Sequence, residues 1–312
     1  MLHRTTVSTY ERAGLQLCFR EMLDGHGGFD ALAERGRRVL LKPNFVMPGP
    51  ADDASTTQPN FYMALAITLQ EAGFEVGIGE SPAFGSCAGA LKAHGVLNEC
   101  ITRGITVVEF ARSVPITGVE GSGRYETLSI AAELSEWDSL INVPKLKTHR
   151  QFVFTGAIKN LYGCVVGRRK FWRHNQCAND PVRFARMLHA NAAALAPTLH
   201  IADGISALHV NGPRGGEPYP LNTILYGDDA ALLDWYFAAA IGLHPASTPL
   251  FQALPSDARA EIRRAFEAQW PSLEPARDFV HAPLIHISFS PLAVMRSLGR
   301  SVRQKLRERK AG

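Results

Sequence analysis

No acidic side chain occurs between Asp138 and Asp180. The same window holds Lys145, Lys147, Arg150, Lys159, Arg168, Arg169, Lys170 and Arg173, together with His149 and His174. These cations have no acid close in sequence to neutralise them. Cysteine is scarce as well: Cys18, Cys87, Cys100, Cys164 and Cys177 are scattered and odd in number. That spacing argues against a disulfide framework and against a self-contained zinc or iron–sulfur site. No uninterrupted apolar stretch is long enough to span a bilayer. The opening residues, MLHRTTVSTYERAG, lack the apolar core of a signal peptide. The expectation is a cytoplasmic protein without an iron–sulfur cluster domain.

The net charge of +4 misleads. From Pro291 onward seven cations face one acid, Glu308, so the tail carries +6 and the rest of the chain −2. The high isoelectric point therefore belongs to the tail and argues against nucleic acid as the partner of the main body. Within the tail, Met295, Leu298, Val302 and Leu306 fall at helical spacing opposite the cations. Such a basic amphipathic helix over residues 291–312 suits a membrane surface, or packs lightly on the body as a solvated terminal helix.

With 46% hydrophobic residues, the chain has ample material for a core. RVLLKPNFV, EVGIGE, ITVVEF, SLINVP, TLHIADGI and NTILYGD read as six strands. Between them, a region near Tyr10 to Arg35 broken at Gly25, Gly27 and Gly28, then FYMALAITLQEAG, then DAALLDWYFAAAIG, read as helices. The pattern predicts an α/β fold, a mostly parallel sheet flanked by helices, with its ligand cleft at the carboxyl ends of the strands. Residues 1–250 form the α/β domain in this reading. Residues 251–312 form a C-terminal helical extension that ends in the basic tail.

The residues of chemical interest follow predicted strands. Lys42 and Asn44 follow the first, Glu80 and Ser81 the second, and Lys145, Lys147 and His149 the fourth. Asp203 follows the fifth, and Asp228 and Asp229 the sixth. The stretch LINVPKLKTHRQFVFTGAIKNLYG runs from strand through cations to a glycine-containing helical segment, the layout of an anion site. Lys145, Lys147, Thr148, Thr155, Gly156 and Asn160 are therefore expected to bind an anion or a cofactor. Lys42 and Asn44 form a donor pair around a turn fixed by Pro43. Thr56 and Thr57 either bind phosphate oxygens or start the next helix. Asp203, with Gly212 and Gly215 in the NGPRGG loop, suggests a ligand-facing turn. Asp228 or Asp229 is either a helix cap or a ligand, and Asp234 a mid-helix polar residue. Trp172 among its cations reads as a base-stacking group or a lid. A basic solvated face is the plain alternative for the whole window.

Two side chains are candidates for chemistry. Cations beside His149 disfavour its protonated form, leaving an imidazole suited to general-base work or metal ligation. Lys159, crowded by cations and apolar residues, should have a lowered pKa and act as a base or nucleophile. Simple anion gripping is the alternative for both. Two carboxylates and a histidine could in principle hold a divalent cation, but no spacing requires one.

The combination LLKPNFV, TTQP, IGESPA, DSLINVPKLKTHRQFVFTGAIKNLYG, ADGISALHVNGPRGG and GDDAALLDWYFAAAIG resembles the domain of unknown function 362 family, over about Val39 to Pro245. Many members of that family carry an appended ferredoxin-like domain with clustered cysteines, which this chain lacks. A more distant likeness is to lactate racemase-type enzymes with a nickel pincer-nucleotide cofactor. In those enzymes a histidine precedes, by ten positions, the lysine that tethers the cofactor, as His149 precedes Lys159 here. Lys42-Pro43 is similar to their Arg-Pro phosphate-binding turn.

Three functional classes follow. The leading one is an enzyme that binds an anionic small molecule or nucleotide-type cofactor, with proton transfer or covalent lysine chemistry by His149 or Lys159. The second is a non-catalytic anion-binding module or accessory protein serving a redox partner. The third is a peripheral nucleic-acid or membrane-surface binder acting through the tail.

Overall fold

The computed structural model describes residues 1–25, 27–117, 127–167, 170, 177 and 180–284. Arg168, Arg169, Trp172, Arg173, His174 and the basic tail lie outside the described residues.

All six expected strands form. They are joined by shorter ones, giving β1 (Leu2–Thr6), β2 (Arg38–Pro43), β3 (Glu75–Glu80), β4 (Thr106–Glu109), β5 (Ser113–Thr117), β6 (Thr127–Ala131), β7 (Ser139–Val143), β8 (Lys145–His149), β9 (Val153–Thr155), β10 (Leu199–His209), β11 (Glu217–Tyr219) and β12 (Thr223–Gly227). The main sheet runs β1-β12-β10-β7-β2-β3-β4, with β8 and β11 also on β10 and β9 on β8. Pairings from β10 through β7, β2 and β3 to β4 are parallel. β5 and β6 form a separate hairpin.

The buried central strands read as continuous apolar runs because helices cover both faces. Val39 and Leu41 of β2 pack into one core with Val76, Ile78 and the helices Arg12–Gly25 and Pro59–Glu71. Leu40, pointing the other way, joins Val108, Phe110 and Cys164. The helix Pro59–Glu71 is apolar nearly all round, being held between sheet and outer helix. Gln58 caps it by accepting from Asn60 N at 2.6 Å, and Pro59 occupies its first turn. The helices Pro181–Leu195 and Ala230–Ala240 cover the opposite face. Beyond the expected α/β boundary, the helix Ser256–Gln269 packs Phe266 on Tyr236, and Trp270 follows it there.

One topological expectation needs correction. β12 runs antiparallel to β10, with Gly227 opposite His200 and Thr223 opposite Gly204. Asp228 and Asp229 therefore follow β12 at the amino-terminal end of β10 and not beside its carboxyl end. The connection from β10 to β12 contains the short strand β11 and no helix, so it cannot make the crossover that parallel neighbours need. Asp229 is a helix cap, accepting from Ala231 N at 2.8 Å and Leu232 N at 2.9 Å. Asp228 pairs with the N-terminal ammonium at 2.6 Å in an exposed position.

These roles predict unequal costs. Asp229→Ala should lower stability by about 1 kcal/mol through loss of the cap, whereas Asp228→Ala should change it by less, as exposed pairs contribute little. Urea denaturation of the two variants checks the ranking, and a larger loss at Asp228 would refute it.

Candidate functional site

The carboxyl ends of β2, β3 and β7 meet at a polar, buried cluster. Lys42, in β2, projects between strands where its ammonium contacts Glu80 at the end of β3. It also donates to Pro43 O at 2.9 Å and lies 3.4 Å from Asn160 Oδ1. Gly163 makes room for this pair: a Cβ there would come within 2.3 Å of the Lys42 Nζ. Pro43 then turns the chain and presents Asn44. Asn44 Nδ2 donates to Asn160 Oδ1 at 2.7 Å, and its Oδ1 receives Lys147 Nζ at 2.6 Å. Asn160 in turn donates to Lys42 O at 3.2 Å and to Asn142 Oδ1 at 2.8 Å. Amide side chains suit this junction because each offers both donor and acceptor.

KLKTH, expected as a post-strand cationic turn, is itself strand β8. It resumes beyond Pro144 alongside β10, and Asp203 N bonds Pro144 O at 2.8 Å. Strand alternation puts Lys145, Lys147 and His149 on one face and buries Leu146 on the other. Lys145 lies directly opposite Asp203 and pairs with it at 2.9 Å. Tyr10, which carried no signal in the sequence, completes this group. Its hydroxyl donates to Asp203 Oδ1 at 2.7 Å and receives Lys145 Nζ at 2.9 Å. Burial, and secondarily the Asp203 charge, raises the Tyr10 pKa and keeps the phenol protonated. Burial also lowers the Lys145 pKa against the pull of Asp203.

Lys147 differs from Lys42 and Lys145. It is 1% exposed, yet it has no carboxylate in contact among the described residues and donates to Asn44 Oδ1 and, at 2.6 Å, to Ser55 O. Burial and then the charge of Lys159 drive its pKa well down. Lys159, half-buried, has no hydrogen-bond or ion-pair partner among the described residues, and burial with the charge of Lys170 brings its pKa to about 8. Lys170, whose ammonium contacts Ser81 O, is also brought by burial to about 8. Two buried hydroxyls flank Lys147. Thr155 faces it across the β8–β9 pair, and Ser55 supplies its carbonyl partner. The Thr155 hydroxyl has no hydrogen-bond partner among the described residues, whereas Ser55 sits against Asp53, which accepts from Ser55 N at 2.9 Å and whose pKa the Ser55 side chain helps to lower.

The remaining sequence candidates divide clearly. Thr148 points away from the lysines, toward Val153 O and Ala282 N, because it alternates with them along β8. Thr57 Oγ1 bridges Asn44 N at 2.8 Å and Val143 O at 2.9 Å, and Thr56 lies 3.4 Å from His94 Nε2. Both threonines brace the loop that receives Lys147. Gly156 gives clearance to Asp234, whose oxygens accept from Ala157 N at 2.5 Å and Ile158 N at 3.0 Å. Asp234 is thus the cap of the short helix Ala157–Asn160 that carries Lys159. His149 Nδ1 accepts from Gln151 N at 3.1 Å at the β8–β9 turn. Gly212 packs on the backbone of Thr148, while Gly215 takes a left-handed φ of +69° in the adjoining loop. Asp203 is the countercharge of Lys145. Among the described residues no group of three or more His, Cys, Asp or Glu side chains could hold a metal ion.

The chain belongs to the family described as domain of unknown function (DUF362), which matches residues 39–239. It is 36% identical over 245 residues to a thylakoid-associated protein of Synechocystis sp., covering 78% of this chain and 75% of that one. No described helix is long and apolar enough to cross a membrane.

Two measurements test the electrostatics. Lys145→Met strands the buried Asp203 charge and should cost about 3–5 kcal/mol in urea denaturation, with Lys145→Met/Asp203→Asn losing less. An equal loss in both would remove the pair from the account. Burial raises the Asp234 pKa from 3.8 to about 7. The folded protein therefore binds more protons than the unfolded chain over that interval, and stability should fall as pH rises through it. Asp234→Asn should lack this slope, and an unchanged slope would assign the titration elsewhere.

Proposed function

We propose that this protein is an enzyme that binds an anionic small molecule or nucleotide-type cofactor among Lys147, Lys159 and Asn44, with Lys159 as proton acceptor or amine nucleophile. The observation that carries the reading is the burial of Lys147, under the charge of Lys159, with no carboxylate in contact with either among the described residues. A lone buried ammonium is costly, which is why burial drives the Lys147 pKa down, and an anion entering the cluster would offset that cost. Lys42–Glu80 and Lys145–Asp203 are already neutralised and act as the frame. Proton transfer is assigned to Lys159 in preference to His149, because the Nδ1 lone pair of His149 is occupied by Gln151 N. A lysine with a pKa of about 8 is partly unprotonated near neutral pH and can take a proton or attack a carbonyl. The racemase-type likeness contributes the spacing of His149 and Lys159 and nothing about metal.

A second reading concerns location. The Synechocystis relative is thylakoid-associated, and residues 291–312 form a basic amphipathic pattern. Electrostatic attachment of that tail to anionic lipid would leave the catalytic reading intact. Vesicle flotation with anionic and neutral lipids, with and without the tail, separates the two contributions.

The principal test is competitive labelling with acetic anhydride across pH, read by peptide mass mapping. Reactivity of Lys159 should rise with a midpoint near 8 and fall when ligand binds. Lys159→Ala and Lys159→Arg should both abolish turnover of whatever ligand mass spectrometry finds with the native protein, since arginine keeps the charge but stays protonated. Activity in Lys159→Arg would reduce the residue to an electrostatic clamp.

A further inference from the structure

Two loops meet over strand β8. Loop 44–58 brings Asn44 Oδ1 and the Ser55 carbonyl to Lys147. Loop 210–216, between β10 and β11, carries Arg214. Arg214 Nη2 lies 3.2 Å from Asp53 Oδ2, and its Nη1 contacts Met47 Sδ. The ion pair joins positions 161 apart in sequence. Gly49 leaves room for it, since a Cβ there would stand 3.2 Å from Asp53 Oδ2 and 3.5 Å from Arg214 Nη2.

Both loops are also tied to β8 or to a residue on it. Arg150 N, just past β8, donates to Gly212 O at 3.2 Å, and a Cβ on Gly212 would collide with Thr148 O. Asn211 stiffens that loop by accepting from Gly212 N at 3.0 Å. On the other side, Asp53 Oδ1 accepts from Ser55 N at 2.9 Å, and Asp53 O accepts from Thr56 N at 3.1 Å. This turn aims the Ser55 carbonyl, which receives Lys147 Nζ at 2.6 Å. The contacts close a circuit. They run from β8 through Gly212 to Arg214, across to Asp53, through Ser55, and back to Lys147 on β8.

The same circuit carries charge. Burial above all, then Lys159, and less strongly Lys145 and Lys42, push the Lys147 pKa down, while Asp53 pulls it up. Burial raises the Asp53 pKa, but hydrogen bonds from Ser55 and the charge of Arg214 outweigh it and keep the carboxyl below its usual value. Asp53 is therefore ionised at neutral pH. How strongly it acts on Lys147 depends on where Arg214 holds it.

We propose that Arg214 is a positioning residue for Lys147: by clasping Asp53 it fixes both the Ser55 carbonyl and the Asp53 carboxylate relative to the lysine amine. The inference rests on Lys147 being a working group of the site, as proposed above, and names what adjusts it.

Nuclear magnetic resonance of protein labelled with carbon-13 at the lysine ε carbons tests it. The Lys147 signal is assigned by its loss in Lys147→Met, and its pH midpoint is followed in variants whose fold circular dichroism confirms. Asp53→Asn keeps an acceptor for Ser55 N and loses only the charge, so the midpoint should fall by about half a pH unit or more. Arg214→Met should shift the midpoint by a similar amount, and Arg214→Lys should recover most of that shift by keeping a cation for Asp53. In the Asp53→Asn background, Arg214→Met should have less than half its effect in the wild type, because the arginine acts through the carboxylate. An unchanged midpoint in Asp53→Asn or Arg214→Met, or an Arg214→Met shift undiminished in the Asp53→Asn background, would overturn the assignment. If Arg214→Met does not fold, the same double variant is made with Arg214→Lys, and an equal shift in both backgrounds overturns it. The titration is read without ligand. Its failure is therefore separate from failure of the anion reading, which calorimetry of orthophosphate with the wild-type protein would show.

Discussion

A buried lysine amine with no carboxylate in contact among the described residues organises this molecule's strand-end cluster. Lys147 is held by neutral oxygens from Asn44 and Ser55, and almost everything nearby serves that arrangement. Asn44 is aimed by the Pro43 turn and by Asn160. The Ser55 carbonyl belongs to a loop braced by Thr57 on Val143 O and by Thr56 against His94. His94 is itself kept neutral by burial, with a pKa of about 4, and its Nδ1 lies 2.9 Å from the Tyr62 hydroxyl. The two compensated pairs, Lys42–Glu80 and Lys145–Asp203, flank the uncompensated lysine and fix the strand ends that present it. A protein interior tolerates such a charge when hydrogen bonds and an accessible counter-ion share the cost.

The sheet explains how residues so distant in sequence meet. β2, β3 and β7 are parallel neighbours, so Lys42, Glu80 and the Pro144 turn emerge at one end. β8 then continues the direction of β7 on the same neighbour, β10, and carries Lys145 and Lys147 outward along one face. The β8–β9 hairpin returns the chain so that Thr155 lies opposite Lys147, and Asp234 anchors the short helix that follows. Lys159 and Asn160 are consecutive on that helix. One joins the excess charge and the other the amide network.

How much of this the sequence revealed depended on what each residue packs against. The six long strands were legible because helices bury both of their faces and select apolar runs. β8 was not, since its alternation of charged and apolar residues resembles a turn until the ion pair and amide partners are placed. The direction of β12 had a readable signal in the helix-free connection after His209, which favours an antiparallel return. A parallel strand there would put Asp228 and Asp229 beside the carboxyl end of β10, whereas the antiparallel one puts them at its amino-terminal end. Lys42 and Asn44 beside a strand end, Lys147 in KLKTH and Asn160 in TGAIKN, expected around an anion site, lie in one hydrogen-bond network. Thr148 was misjudged because placing it on β8 reverses its face. Tyr10 carried no signal for the site, standing as a lone aromatic residue at the start of the expected first helix.

The central claim about the molecule is that its lysine excess forms an anion site. A crystal structure with tungstate, located by its anomalous scattering, addresses that directly. The account predicts a tungstate within hydrogen-bonding reach of Lys147 or Lys159, lost in Lys147→Met crystals of unchanged fold. Tungstate bound only elsewhere, or retained at that position without Lys147, would contradict it.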